Sequence, residues 1–194
     1  MAALRSPTEI RLVSGAVLVP LRELAFSFGP HPLEDVVSVL GERGIEILRN
    51  AERVEIFRIK SNTPEDWSTP GRPAIEGYEI LAQTEQGREF ATKVSGALLN
   101  ERNQFGFGKA CGFSPGVAFR IWKGKESAVL IVCFQCNDLR LSFYDSSGRE
   151  IKRTGFDFVL NRSLLLALAR RAFPSDSVLS ELDGPGKQPD VGPE

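Results

Sequence analysis

Three cysteines and one glycine-rich stretch carry most of what could be chemistry in this chain. The stretch "GFGKACGFSPG", residues 106–116, sets Cys111 among four glycines, a lysine and a proline. A phosphate-binding loop would need Gly-x4-Gly-Lys-Ser/Thr between a strand and a helix. Here Asn103 stands at the first glycine position, Ala110 replaces the hydroxyl that would hold magnesium, and a strand follows. A dinucleotide-binding turn fails on the same context. The stretch therefore reads as a flexible lead-in to a strand, its glycines allowing close backbone approach.

Cys133 and Cys136 form a Cys-Phe-Gln-Cys motif further on. Thioredoxin-type Cys-x-x-Cys lies at a helix N-terminus, where the dipole favours a thiolate. This one lies at a strand end, and three extended residues set the α-carbons roughly 10 Å apart, beyond the ~7 Å reach of a disulfide. A structural zinc site wants four ligands, usually Cys and His, and the chain has three Cys and one His, His31, far off in sequence. Three roles stay open for Cys111, Cys133 and Cys136: buried structural thiols, a thiol-redox pair of Cys111 with Cys136, or a metal site completed by Asp138. No metal or cofactor is expected.

Other candidates are sparser. Lys123, Lys125, Arg149, Lys152 and Arg153 gather at the end of the predicted meander away from the cysteines. They form either a basic contact edge for an acidic partner or nucleic acid, or a solvated rim that discourages strand pairing, the simpler reading. Trp122 falls on the sheet face away from the helices, a position for a covered or binding surface. No nucleophile elbow is present, and a single His argues against a His-dependent hydrolase. No catalytic residue is assigned, and the chain reads as a non-enzyme.

Composition sets the wider bounds. The chain has 194 residues with a net charge of −1, so no overall field favours nucleic acid or an anionic membrane. An odd cysteine count defines no disulfide framework, and reduced thiols in a cytoplasmic compartment are the simplest expectation. The N-terminal stretch lacks the charged-then-apolar order of a signal peptide, and its apolar run from Leu12 to Leu21 is too short to span a bilayer.

The elements that must position these residues follow from periodicity and turn chemistry. Residues 1–30 are ambiguous, with a possible hairpin over Ile10–Val19. A single α+β domain is predicted over 31–174, and the Gly-, Pro- and acid-rich residues 175–194 are expected to form a disordered tail. Helices are predicted over 32–50, 85–101 and 161–173, the last with Asn161 as N-cap and Pro174 as stop. Strands are predicted at 54–60 and 77–83, then as a four-strand meander near 116–123, 127–136, 139–144 and 149–153.

The meander turns predict a register. Gly124-Lys125 suits a two-residue loop that sets Val117 opposite Val132, Phe119 opposite Leu130 and Ile121 opposite Ala128. Asn137-Asp138 is read as a second two-residue loop, with Phe134 opposite Leu141 and Val132 opposite Phe143. Ser146-Ser147-Gly148 is read as a three-residue loop placing Ile151 opposite Phe143. All three turns put apolar residues on one face. Continued past Pro115, this register sets Cys111 opposite Asp138 and diagonal to Cys136, while Cys133 points to the other face with Val129 and Ile131. The fold class predicted is α+β: a curved antiparallel sheet, in the order strand, helix, four-strand meander, helix, with helices on one face, like helix-grip and TATA-binding-protein folds in shape.

The segment "KACGFSPGVAFRIWKGKESAVLIVCFQCNDLRL", with "VEIFRIK" before it and Phe173-Pro174 after it, resembles a widespread bacterial family of uncharacterised activity. The matching residues are Cys111, Phe113, Pro115, Cys133, Phe134 and Cys136, over roughly residues 50–175. Some relatives carry Arg-His after the proline, where this chain has Gly116-Val117. The resemblance implies that the three cysteines form one spatial cluster, and it brings no activity with it. The expected function is a non-catalytic interaction or regulatory module with a structural cysteine cluster and a protein partner. The alternatives are a thiol-redox or redox-sensing protein using Cys111 and Cys136, and a small-molecule binder in the crevice between sheet and helices.

Overall fold

A computed structural model describes residues 33–61, 72–100, 104–105, 112–157 and 161–182. The chain divides at Pro30/His31, and the unit from His31 onward contains every described residue. Cys111, His31, Trp67 and the Ile10–Val19 hairpin lie outside the described residues.

The unit is α+β. Helix α1 (Leu33–Arg49) leads into strand β1 (Arg53–Ile59), the short β2 (Ala74–Ile75), β3 (Tyr78–Gly87) and helix α2 (Arg88–Leu98). The two-residue β4 (Gln104–Phe105) precedes the meander β5 (Val117–Lys123), β6 (Glu126–Cys133), β7 (Asp138–Tyr144) and β8 (Glu150–Asp157). Helices α3 (Arg162–Ala172) and α4 (Ser177–Glu181) follow. The antiparallel sheet has the order β2-β3-β1-β5-β6-β7-β8-β4, so the first strand lies beside the meander rather than at an edge.

Period-two alternation makes this sheet two-faced. Val54, Ile56, Phe119, Leu130, Leu141 and Phe143 face one way and form the main core with the apolar stripes of α1, α2 and α3. Phe57, Ala118, Val129 and Ile131 face the other way and form a second, smaller core with Ile75, Tyr78 and Ile80 of the β2–β3 ribbon. Every residue of β6 is consequently buried. The sheet curls far enough for Glu76, in the β2–β3 turn, to meet Tyr144 of β7 and Arg153 of β8.

The first meander turn has the expected register: Val117 pairs with Val132, Phe119 with Leu130 and Ile121 with Ala128, and Gly124 takes φ 56°. The second turn differs. Residues 134–137 all belong to the turn, and Cys133 pairs with Asp138, so Val132 faces Leu139 rather than Phe143. The pairing is displaced by an even number of residues. Every side chain keeps its face, and Phe134, though outside the strand, is still buried in the main core. The third turn differs by one residue. Phe143 pairs with Lys152, Tyr144 pairs with Glu150, and Ile151 is the extra residue of a bulge. Ile151 is therefore 39% exposed instead of facing the core.

Two further expectations are corrected. Asn161 makes no side-chain cap for α3; its Oδ1 accepts from Asn100 Nδ2 at 3.2 Å. The tail does not begin at residue 175. Asp176 caps α4 by accepting from the Leu179 N–H at 2.9 Å, and Leu179 is 1% exposed in the main core. Arg170 donates to the carbonyls of Leu179 and Ser180 at 2.9 and 3.1 Å and also to that of Leu182, which fastens the segment to α3. The domain thus extends at least to residue 182; residues 183–194 lie outside the described residues.

Candidate functional site

The cysteines fall into different environments. Cys133, the last residue of β6, is fully buried and is a free thiol. Alternation with Val129 and Ile131 points it toward the smaller core, as its parity predicts. Cys136, in the turn between β6 and β7, is disulfide-bonded. Its Sγ lies 3.2 Å from the carbonyl oxygen of Gly112, the residue that begins the described lead-in to β5. A disulfide sulfur carries no proton, so this is a close contact rather than a donated hydrogen bond. Among the described residues no group of three or more His, Cys, Asp or Glu side chains is arranged to hold a metal ion.

The turn that carries Cys136 is held from its other side as well. Arg162, in the first turn of α3, donates from Nε to the Phe134 carbonyl at 3.2 Å, and its side chain is buried. Next to the turn lies a cavity of about 260 Å³. One wall is Ser114-Pro115-Gly116, a second is Phe134-Gln135, and a third comes from α4 and the residue after it, Val178, Leu179 and Leu182. Leu81 and Val178, 54% and 55% exposed, form an apolar rim.

Arg58 sets the polar base of this cavity. It donates from Nε to Asp176 Oδ2 at 2.7 Å, and from Nη1 to the carbonyls of Gly116 and Ile59 at 2.7 and 2.8 Å. A Cβ at Gly116 would come within 3.2 Å of Arg58 Nη1, so glycine here permits the guanidinium's close approach. Burial opposes the Asp176 charge, but the Leu179 N–H and the Arg58 guanidinium more than offset it and hold the carboxyl below its usual range. Sequence reasoning missed this assembly. Arg58 sits in a strand and Asp176 in a segment read as tail, and no local pattern links them.

The predicted basic edge does not act as one surface. Lys123 pairs with Glu46 of α1 and lies 3.7 Å from Glu126, while Arg43 donates to Glu126 at 2.8 Å. Arg149 pairs with Asp145 at 3.1 Å, and Arg153 with Glu76 at 3.0 Å. Lys152 donates to the Ser38 carbonyl at 2.8 Å, near the break in α1 at Gly41. Among the five, only Lys125 makes no hydrogen bond or ion pair. Four of these cations are therefore satisfied locally, two on the helix side of the sheet and two at its opposite face and loop.

On that opposite face Trp122 donates from Nε1 to Glu55 at 2.9 Å, and the Arg53 guanidinium lies over its ring at 4.7 Å. Glu76 takes φ 50°, a left-handed conformation unusual for a residue with a Cβ, and Gly77 follows at φ 83°. These signs match the two-residue turn that a tight hairpin requires. Glu76 is held there by the Tyr144 hydroxyl and Arg153. Burial, reinforced by Glu76, pushes the Tyr144 phenol up to about 12. Neither residue carried a sequence signal; their meeting depends on the curl of the sheet.

The chain matches no family model, no curated protein and no solved structure. No helix among the described residues is long and apolar enough to cross a membrane.

Proposed function

We propose that this protein is a non-catalytic binding module whose cavity is set by a thiol–disulfide pair, Cys111 with Cys136. One observation carries the reading: Cys136 is disulfide-bonded at the turn that supplies a wall of the cavity, while Cys133, three residues earlier, is a free buried thiol. The chain has three cysteines, so an intrachain bond from Cys136 leaves Cys111 as its partner. The Gly112 carbonyl beside Cys136 Sγ supports that pairing. The bond would then join the lead-in wall, Ser114 to Gly116, to the turn wall, Phe134 and Gln135. Formation from two thiols consumes one glutathione disulfide and releases two glutathiones, so the cellular thiol couple can set the state.

Peptide mapping after alkylation under native and then denaturing conditions tests the pairing. A 111–136 linked peptide is expected, with Cys133 labelled only after unfolding. Equilibration in glutathione buffers tests the function. A responsive bond should open within the physiological glutathione range, with faster amide exchange in residues 112–116 and 134–137. A bond that stays closed below about −300 mV would make it a structural clamp, and a 133–136 bond would defeat the reading altogether.

A further inference from the structure

The face of the sheet away from the helices holds a second cavity, and its chemistry is independent of the cysteines. Cross-strand pairing aligns Arg53, Trp122, Ser127 and Tyr144 in one row across β1, β5, β6 and β7. The β2–β3 ribbon covers the neighbouring apolar patch but stops at Glu76, and the uncovered row opens a cavity of about 320 Å³. Trp122 and Tyr144 stand on either side of the β6 position, roughly 10 Å apart at neighbouring-strand spacing. Between them is Ser127, a small residue. A Trp and a Tyr flanking a small floor are walls suited to one flat ring, and Arg53 and Arg120 lie over the Trp122 ring at 4.7 and 5.8 Å.

Charge and hydrogen bonding narrow the occupant. Ser127 is 5% exposed and lines the cavity, and its hydroxyl makes no hydrogen bond. Both carboxylates at the cavity are already engaged: Glu76 by Tyr144 and Arg153, and Asp145 by the N–H groups of Ser147 and Arg149. The cations are less committed. Lys125 has no side-chain partner, and Arg120 is held only by a long ion pair to Glu55 at 3.6 Å and by lying over the Phe57 and Trp122 rings at 5.6 and 5.8 Å. A hydroxyl, one unpaired lysine and a loosely paired arginine beside an aromatic slot favour a ligand that is flat at one end and anionic at the other.

We propose that this slot binds a small aromatic carboxylate, its ring between Trp122 and Tyr144 above Ser127 and its carboxylate on Lys125 and Arg120. The test uses the full chain with Trp67→Phe, so that Trp122 alone reports, and sodium benzoate as probe. A saturable change in emission is expected, with a Kd on the order of 1 mM for so small a ligand. Cyclohexanecarboxylate, equally charged but not flat, and benzyl alcohol, flat but uncharged, should each bind about tenfold more weakly. Lys125→Gln, at an exposed position, should weaken benzoate binding, and Ser127→Leu should fill the slot and abolish it. Circular dichroism and melting curves check that each variant is folded. Failure of benzoate to saturate the wild-type signal, equal binding of the three probes, or unchanged binding by a folded Ser127→Leu or Lys125→Gln protein would each overturn the assignment.

Discussion

The Arg58 guanidinium donates to the Asp176 carboxylate at 2.7 Å, tying the middle of the sheet to the cap of the last short helix. Both side chains are largely enclosed, at 13% and 19% exposure. The segment after α3 is therefore part of the folded domain. Ending the chain at residue 174 should lower the melting temperature by many degrees. Leu179→Ala alone should cost about 2–5 kcal/mol, the range for emptying a buried leucine site. Chemical denaturation of both variants is the measurement, and an unchanged midpoint would mean that the segment contributes nothing.

The same ion pair gives stability a pH dependence of definite sign. The Asp176 carboxyl is held below its ordinary value of 3.8 in the folded protein. Its stabilisation is therefore complete above that value and is lost as pH falls through the lower, folded-state value. Urea unfolding between pH 6 and pH 2 should show a decline that Asp176→Asn reduces, leaving the variant less stable at pH 6 and nearly equal to wild type at the acid end.

Gly44 packs its bare α-carbon against Phe143. A Cβ there would stand 2.7 Å from the ring, too close for the ring to remain in place. Gly44→Ala should destabilise the protein by about 1–3 kcal/mol despite alanine's better helix propensity. Phe143→Leu removes the clashing ring, so the double variant should lose less than the sum of the two single changes. A thermodynamic cycle by denaturation reads this directly, and additive losses would contradict the contact.

Tyr144 should titrate late. Its phenol is pushed up to about 12, first by burial and then by the Glu76 carboxylate, and Tyr78 is also shifted upward by burial. Because the chain has two tyrosines, the ultraviolet phenolate transition of the native protein should lie above 10. Glu76→Gln should bring the Tyr144 component down. By linkage, the stability carried by protonated Tyr144 is full below 10 and disappears as pH rises toward 12. A native transition centred at 10 would disprove the enclosure of Tyr144.

Local sequence was enough to determine which faces of the meander are apolar. A strand's period of two places Phe119, Leu130, Leu141 and Phe143 together, and the second turn's different length preserved this because its displacement is even. The parity of Cys133 was legible for the same reason. The helices over 33–49 and 88–98 were likewise written in their apolar spacing, and the one over 162–172 in the Pro174 that stops it. Tertiary structure decided what depends on residues far apart in the chain. It put β1 between β3 and β5, and it curled the sheet until Glu76 met Tyr144 and Arg153. It turned Ile151 outward at a bulge while Lys152 reached the Ser38 carbonyl, and it docked a five-residue helix whose composition reads as solvent-exposed tail. Such a helix is too short to form on its own; burial of Leu179 and the Arg58–Asp176 pair hold it in place, and both depend on partners that no local window of sequence contains.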